Sequence, residues 1–270
     1  MITNPLRESI REGGLPHFFC PGCGAAQVLN FFIRAVDELG MDLGKIIGIG
    51  GVGCTARIPV YLKMDALHGI HGRTLPWATG IKLVNPELKV VIFAGDGDAA
   101  AIGGNHLIQA ARRNLDVTMI VVNNLNYGMT GGQVAPTTHQ SLRTITTPYG
   151  NPEPSFDLVK LVTGAGATFV SRWSTNKPRQ TIDAFKKAMN HKGFSFVEVI
   201  SQCPTGFGRK AINSGDAVTG IKWIEDHSVM KKAASEMAES DLHDKFVLGN
   251  FVQVEAPIFM GSSYIEPEED

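Results

Sequence analysis

Residues 88–133 read LKVVIFAGDGDAAAIGGNHLIQAARRNLDVTMIVVNNLNYGMTGGQ, and this stretch decides the fold. The apolar runs at 90–94 and 117–122 predict two buried parallel strands. Between them, the apolar spacing at 107–111 predicts a helix. The stretch is therefore predicted to form one βαβ unit with a glycine-rich loop, 95–98, where the first strand meets its helix.

Two loops of this unit carry polar groups that suit a phosphate ligand. Asp96 lies in the first loop, and Asn124 follows the second strand just before the glycine-rich segment 127–133. In a right-handed crossover both loops lie at the carboxyl ends of adjacent strands, where α/β sheets bind ligands. A carboxylate, an amide oxygen and a backbone carbonyl, completed by phosphate oxygens, are suitable Mg²⁺ ligands. The glycines let backbone N–H groups approach phosphates, so the pattern predicts a diphosphate held through a divalent ion.

Composition excludes several classes of function. The chain has 270 residues and a mass of 29.1 kDa, enough for one or two domains. With 25 basic and 26 acidic residues, no charge excess points to nucleic acid or anionic lipid as a partner. No long uncharged apolar run predicts a membrane span, and the first 19 residues lack the apolar core of a signal peptide. We therefore predict a cytoplasmic protein.

The rest of the chain extends the α/β pattern. The expected fold is a doubly wound, mostly parallel sheet in one domain, 20–225, with an N-terminal arm, 1–19, and a C-terminal extension, 226–270. We expect the extension to be charged and helical and to end in the acidic tail EPEED. The segment 135–154 is a polar loop with four prolines, and a loop of that length usually has a function or contacts a partner. Further strands are predicted at 46–49, 168–170 and 194–200, and further helices after Gly24, before Asn85, at 156–165 and at 178–190.

The four cysteines allow three interpretations. Cys20 and Cys23 have the CxxC spacing, whereas Cys54 and Cys203 each follow a predicted strand. A thioredoxin-like pair would use only the first two, and the strand expected before such a pair is poor. A structural Zn²⁺ site and a [4Fe–4S] cluster both take four thiolates, and spacing alone does not separate them.

Several motifs together resemble a known family. GDG followed by 25 residues and NN resembles the thiamine-diphosphate signature, which implies that Asp96, Asn124 and the backbone carbonyl of Asn126 bind Mg²⁺. The motifs CPGCG, GVGCT, HGR, GDGD, NNxxYGMTGGQ and CPT, spread in order over residues 15–210, resemble the β subunit of 2-oxoacid:ferredoxin oxidoreductases. The resemblance implies a thiamine-diphosphate-binding domain that carries a [4Fe–4S] cluster. The implied cluster ligands are Cys20, Cys23, Cys54 and Cys203.

The resemblance also implies further cofactor contacts. The residues expected to bind thiamine diphosphate are Val52, Gly53, Cys54, Thr55, His71, Gly97, Asp98, Gly128, Met129, Thr130, Gly131, Gly132 and Gln133. His71 has an alternative role as a capping or core histidine, which we favour for His68. Met129 would line the substrate pocket, or simply pack. Arg57 is a candidate for binding a distal substrate carboxylate, with an ordinary surface arginine as the alternative.

The activity implied is a thiamine-dependent oxidative decarboxylation of a 2-oxoacid to acyl-coenzyme A and CO₂. Electrons would pass through the cluster to ferredoxin. The chain contains no second α/β half to hold the aminopyrimidine, so we expect an α subunit to supply it in an αβ or (αβ)₂ assembly. 2-Oxoglutarate is the favoured substrate, and pyruvate, branched-chain and aryl 2-oxoacids are alternatives. Two other classes remain open, a non-redox thiamine enzyme and a zinc-stabilised assembly subunit.

Overall fold

A computed structural model describes residues 5–259, and the strands of this part of the chain form one eight-stranded sheet. The strands are β1 (Ile46–Gly50), β2 (Asp65–His68), β3 (Lys89–Gly95), β4 (Val117–Asn123), β5 (Phe169–Ser174), β6 (Phe194–Ile200), β7 (Ser228–Met230) and β8 (Phe246–Gln253). Their order is β2-β1-β3-β4-β6-β5-β8-β7, and all neighbours are parallel except β5 and β8. The prediction of a doubly wound, mostly parallel α/β fold is confirmed.

Helices cover both faces of the sheet. The α-helices are α1 (Gly24–Glu38), α2 (Thr74–Val84), α3 (Gly104–Arg112), α4 (Leu158–Gly164), α5 (Pro178–Asn190), α6 (Arg209–Ala211), α7 (Ala217–Asp226) and α8 (Lys231–Ala234). Short 3₁₀ turns span Pro5–Ser9, Leu43–Lys45, Thr55–Arg57, Pro59–Tyr61 and Glu239–Leu242, and π-helical turns span Gly97–Ile102 and Pro204–Gly208. The core with α1 and α5 contains Val91 and Phe93, whereas the core with α2, α3 and α4 contains Val90 and Ile92. This alternation follows from the two-residue side-chain period of a strand.

The predicted βαβ unit is β3, α3 and β4. Strands β3 and β4 pair in parallel from Val91 opposite Thr118 to Gly95 opposite Val122, so both end at the same edge of the sheet. The chain leaves β1 towards β2 and returns to β3 on the other side of β1. Ligands of open α/β sheets bind beyond the carboxyl ends of the strands at such a switch point.

The prediction of a helical segment after residue 226 is wrong for most of that segment. Strand β7 and the eight-residue β8 lie there, with the four-residue α8 and the short 3₁₀ turn Glu239–Leu242 between them. In β8 the buried side chains of Phe246 and Leu248 pack in the core, so apolar burial outweighs the charges that flank the strand. The edge strand β2, which is only four residues long and has three exposed residues, was not predicted. The domain boundaries at 20 and 225 remain predictions, and the EPEED tail lies outside the described residues.

Among the helices of residues 5–259, none combines the length and the apolar character needed to cross a membrane.

Candidate cofactor site

A cleft opens beyond the carboxyl ends of β1, β3 and β4. The loops that follow these strands form its walls, together with the turn before α2. The residues that line it are Val52, Gly53, Cys54, Thr55, His71, Gly95, Asp96, Gly97, Asp98, Asn124, Asn126, Tyr127, Gly128, Met129 and Thr130. The structure thus brings together most of the residues that the sequence predicts for cofactor and metal binding. Gly131, Gly132, Gln133 and Arg57 are not among the lining residues.

Asp96 is a buried carboxylate at the floor of the cleft. Its side chain accepts a hydrogen bond from the hydroxyl of Thr137 over 2.5 Å, and no Lys, Arg or His of residues 5–259 forms an ion pair with it. Burial raises the pKa of Asp96 to about 7, and hydrogen bonds from Thr137 and the backbone offset only part of that rise. A buried carboxylate without a counter-charge is suited to a metal cation, because a cation would favour its ionised form.

The second predicted metal-binding segment is a tight turn after β4. Leu125 has a positive φ of 61°, so the chain reverses sharply between Asn124 and Asn126. The side-chain amide of Asn126 donates to the backbone oxygen of Asn124 over 2.7 Å and to its side-chain oxygen over 3.2 Å. Both asparagines line the same cleft as Asp96. The donor set of carboxylate, amide and carbonyl oxygens therefore fits a hard divalent cation in its chemistry.

Asp98 connects the glycine-rich loop to the turn before α2. One of its carboxylate oxygens contacts Nδ1 of His71 and accepts a hydrogen bond from the backbone N–H of Gly72 over 2.7 Å. Its other carboxylate oxygen is buried and has no hydrogen-bond partner within the described residues. A Cβ at Gly51 would lie 2.1 Å from that oxygen, so only glycine fits there. Asp98 thus supports the wall of the cleft that carries His71, and its predicted contact with a diphosphate remains a prediction.

The segment 127–133 folds into a closed loop beside the cleft. Tyr127 and Gln133 form an isolated antiparallel bridge, and the hydroxyl of Thr130 donates to the side chain of Gln133 over 2.6 Å. Gly131 and Gly132 have φ values of 118° and 96°, which glycine adopts readily. The loop is closed behind the cleft by Gly131, Gly132 and Gln133, whose role in binding remains a prediction.

The four cysteines lie on loops near the same edge of the sheet. Cys54 lines the cleft, and the Cys20–Cys23 turn contacts the loop of Cys203, since the Gly24 N–H donates to the Gln202 oxygen over 3.1 Å. Burial raises the pKa of Cys23 to about 12 and that of Cys54 to about 11, and neighbouring cysteines add to both rises. In their present placement, no three His, Cys, Asp or Glu side chains of residues 5–259 form a group that would hold a metal ion. The cysteines are thus close, but do not form a closed ligand set.

Arg57 lies away from the cleft. Its side chain is exposed, and its guanidinium carbon lies 5.8 Å from the ring centroid of Phe18 in the N-terminal arm. Arg57 does not line the cleft, and a substrate role for it remains a prediction. His68, in β2, has Nδ1 3.3 Å from the backbone oxygen of Ala56 and does not line the cleft.

Sequence reasoning missed two side chains of the site. Tyr127 covers Gly97, where a Cβ would lie 2.2 Å from its ring. Thr137, the hydrogen-bond donor to Asp96, belongs to the polar loop 135–154. The only signal for Thr137 was the unusual length of that loop, because a threonine in a loop has no pattern of its own.

The chain is similar to thiamine-dependent enzymes and to subunits of 2-oxoglutarate synthase. A family model described as "Thiamine pyrophosphate enzyme, C-terminal TPP binding domain" matches residues 51–199. The 2-oxoglutarate synthase subunit KorB of Methanocaldococcus jannaschii is 46% identical over 257 residues, which cover 95% of each chain. The subunit of the same name from Archaeoglobus fulgidus is 52% identical over 198 residues, which cover 73% of this chain and 74% of the relative.

A solved structure is similar over nearly the whole chain. It is the 2-oxoglutarate:ferredoxin oxidoreductase from Magnetococcus marinus with 2-oxoglutarate, coenzyme A and succinyl-CoA bound. The similarity has a TM-score of 0.84 and a sequence identity of 33%, and it covers 96% of this chain and 88% of the solved one.

Proposed function

Since this chain belongs to the family of 2-oxoglutarate synthase and 2-oxoacid:ferredoxin oxidoreductase β subunits, we propose that it is the thiamine-diphosphate-binding subunit of such an enzyme. The overall reaction converts a 2-oxoacid and coenzyme A into acyl-coenzyme A and CO₂, and the released electrons reduce ferredoxin. The proposal is carried by one observation above all: Asp96, buried without a counter-charge, shares a cleft with Asn124 and Cys54.

Thiamine diphosphate, when bound, supplies the electron sink that makes decarboxylation of a 2-oxoacid possible. The residues of this chain bind and orient it. In the proposal, the side chains of Asp96 and Asn124 and the carbonyl of Asn126 hold Mg²⁺, which in turn holds the diphosphate. Backbone groups of the glycine-rich segments contact the phosphates, and His71, supported by Asp98, contacts the thiamine.

The same proposal assigns a [4Fe–4S] cluster to Cys20, Cys23, Cys54 and Cys203. Thiolates are the usual ligands of such clusters, and the four thiols lie near one edge of the sheet. Cys54 is both a proposed cluster ligand and a residue of the cleft, which supports a short path for electrons from the thiamine. The raised pKa values of Cys23 and Cys54 mean that assembly of the cluster must release protons.

A partner subunit is part of the proposal. The relatives are named as subunits. The strands of the described residues form a single sheet, and the cleft at its edge is open to solvent at Val52 and Met129. An α subunit that covers this cleft would supply the groups that hold the aminopyrimidine. The isolated chain is therefore expected to lack decarboxylase activity, which an assay of the purified chain with each 2-oxoacid would test.

The proposed substrate is 2-oxoglutarate. The support is the set of relatives, because several are named 2-oxoglutarate synthase subunits and the similar structure contains 2-oxoglutarate. Arg57 does not strengthen this choice, since it lies outside the cleft. Three relatives named only as 2-oxoacid:ferredoxin oxidoreductase subunits are 40%, 40% and 37% identical, so other 2-oxoacids belong in the test.

The test is viologen reduction by the native complex, purified without oxygen, with 2-oxoglutarate, pyruvate, branched-chain and aryl 2-oxoacids. We expect the fastest reduction with 2-oxoglutarate, dependent on coenzyme A, and none from a complex that carries Asp96→Ala. Faster reduction with another 2-oxoacid would refute the substrate assignment alone. The absence of reduction with every 2-oxoacid, from a complex shown to contain thiamine and iron, would refute the proposed function.

A further inference from the structure

The turn between the two proposed metal-binding asparagines rests on an unfavourable backbone conformation. Leu125 has a φ of 61°, a left-handed value that non-glycine residues rarely adopt. Its side chain is only 2% exposed, so Leu125 is anchored in the core while its two neighbours face the cleft. Such a conformation persists only where surrounding contacts enforce it.

Two hydrogen bonds fix the backbone of Leu125, one at its N–H and one at its carbonyl oxygen. Its backbone N–H donates to the side-chain oxygen of Asn123 over 3.1 Å. Its backbone oxygen accepts from the hydroxyl of Thr138 over 2.7 Å. Both partners are at most 3% exposed, so neither bond competes with water. The orientation of the turn therefore depends on where the side chains of Asn123 and Thr138 point.

A buried ion pair determines where the side chain of Asn123 points. The amide nitrogen of Asn123 donates to one carboxylate oxygen of Glu198 over 2.8 Å, and Nε of Arg172 donates to the other over 2.6 Å. Glu198 is 1% exposed and Arg172 is 5% exposed. Because a carboxylate only accepts hydrogen bonds, Glu198 selects the amide orientation of Asn123 that presents its oxygen to the Leu125 N–H.

The sheet topology makes this arrangement possible. Strand β6 lies between β4 and β5, so Glu198 of β6 has Asn123 of β4 on one side and Arg172 of β5 on the other. Arg172 also contacts Asp157, the capping residue of α4, on its far side. The motifs predict a set of cofactor-binding residues that includes none of Arg172, Glu198 and Asn123.

We propose that Arg172, Glu198 and Asn123 are positioning residues that orient the Asn124–Asn126 turn for Mg²⁺ and thiamine diphosphate through the backbone of Leu125. The inference rests on the proposed function, because it concerns the same cleft. The three residues do not contact the metal themselves. They hold its ligands in place, and partners of this kind typically change metal affinity about 10- to 100-fold.

An exchange of donor and acceptor tests the proposal in the assembled enzyme. Asn123→Asp removes the N–H donor and places a second carboxylate against Glu198. Adding Glu198→Gln restores the pairing with the roles reversed: the new amide donates to the new carboxylate, whose other oxygen accepts from the Leu125 N–H. The pair keeps a total charge of −1, and Arg172 keeps an acceptor. Asp157→Asn is the matched control, because it weakens the contact with Arg172 and leaves Glu198 and Asn123 paired.

Two measurements follow on complexes stripped of thiamine diphosphate and Mg²⁺. Titration calorimetry gives the affinity for thiamine diphosphate with Mg²⁺, and electron paramagnetic resonance of bound Mn²⁺ reports the symmetry of the metal site. We expect about tenfold or greater loss of affinity and an altered Mn²⁺ spectrum for Asn123→Asp. The double variant should recover most of the lost affinity and most of the wild-type Mn²⁺ spectrum. Asp157→Asn should have an affinity and a spectrum close to those of the wild type.

Four outcomes would overturn the proposal. An affinity for Asn123→Asp within twofold of the wild type would show that the turn needs no such support. An equal loss of affinity in the single and double variants would show that the three residues contribute only general stability. A loss of affinity in Asp157→Asn as large as in Asn123→Asp would show the same. A wild-type complex that takes up no thiamine diphosphate with Mg²⁺ would overturn the proposed function itself, and this inference with it.

Discussion

The hydroxyl of Thr137 donates a hydrogen bond of 2.5 Å to the carboxylate of Asp96, although 41 positions separate the two residues in the chain. The next residue, Thr138, binds the backbone oxygen of Leu125 over 2.7 Å. One short segment of the polar loop 135–154 therefore contacts both halves of the proposed metal site. This loop was expected to have a function or to contact a partner, and Thr137 and Thr138, near its start, are buried.

Removal of the Thr137 hydroxyl should weaken metal and cofactor binding. Thr137→Val keeps the side-chain shape but removes a hydrogen bond that lowers the pKa of Asp96, so that pKa should rise above its present value of about 7. We expect about tenfold weaker binding of thiamine diphosphate with Mg²⁺ at neutral pH, measured by titration calorimetry, and a smaller deficit at pH 8.5. Thr146→Val, an exposed position in the same loop, is the control. Equal affinities in the two variants would contradict the role of Thr137.

Gly97 should tolerate no side chain. A Cβ at Gly97 would lie 2.2 Å from the ring of Tyr127, so Gly97→Ala must displace the tyrosine that lines the cleft. At Gly104, in the first turn of α3, a Cβ has open space, so Gly104→Ala is the matched control. We expect Gly97→Ala to lose thiamine diphosphate binding in an equilibrium dialysis assay and Gly104→Ala to keep it. Full binding by Gly97→Ala would show that the position of Tyr127 is not important.

Loss of one cysteine should remove the cluster and leave the thiamine site occupied. Cys203→Ser replaces a thiol that lies outside the cleft lining and accepts a hydrogen bond from the N–H of Gly206. We expect the complex with this variant to lose iron and acid-labile sulfide and to keep thiamine diphosphate. Zinc in the wild type, with no iron or sulfide, would support a zinc-stabilised site instead.

Acid should destabilise the fold through His139. Burial lowers the pKa of His139 from an ordinary value of 6.5 to about 4, although nearby Asp244 opposes the shift. Between these two values the unfolded chain binds the proton and the folded chain does not, so stability falls as the pH decreases from 7.5 to 5. The expected loss from this group is about 2 kcal/mol. The denaturant midpoint of His139→Phe, which keeps the aromatic packing against Phe246, should depend less on pH than that of the wild type.

The comparison of these two midpoints across the pH range tests the role of His139 directly. Equal slopes for His139→Phe and the wild type would show that other groups cause the acid sensitivity.

Local patterns predict the part of the site that lies within one βαβ unit. Asp96 and Asn124 follow adjacent strands, so their proximity follows from the connection rule and needs no knowledge of the rest of the fold. Cys54 and His71 entered the predicted site through the family resemblance, and they do line the cleft.

The remaining parts depend on tertiary structure that sequence patterns do not encode. The contact of Glu198 with Asn123 exists because β6 lies beside β4 while β5 lies outside it, an order that is not sequential. Thr137 reaches Asp96 through a loop without a periodic pattern. Arg57 follows Cys54 by only three residues, yet the 3₁₀ turn between them directs its side chain towards Phe18 and not into the cleft.

This chain is proposed to carry both a thiamine diphosphate and an iron–sulfur cluster. The most direct test is the cofactor content of the native complex, purified without oxygen, together with that of complexes carrying Asp96→Ala or Cys203→Ser. We predict that the wild type contains thiamine diphosphate, iron and acid-labile sulfide. Asp96→Ala should lose only the thiamine diphosphate, and Cys203→Ser only the iron and sulfide. Thiamine diphosphate retained in full by Asp96→Ala, or a wild type without iron, would refute this assignment of cofactors.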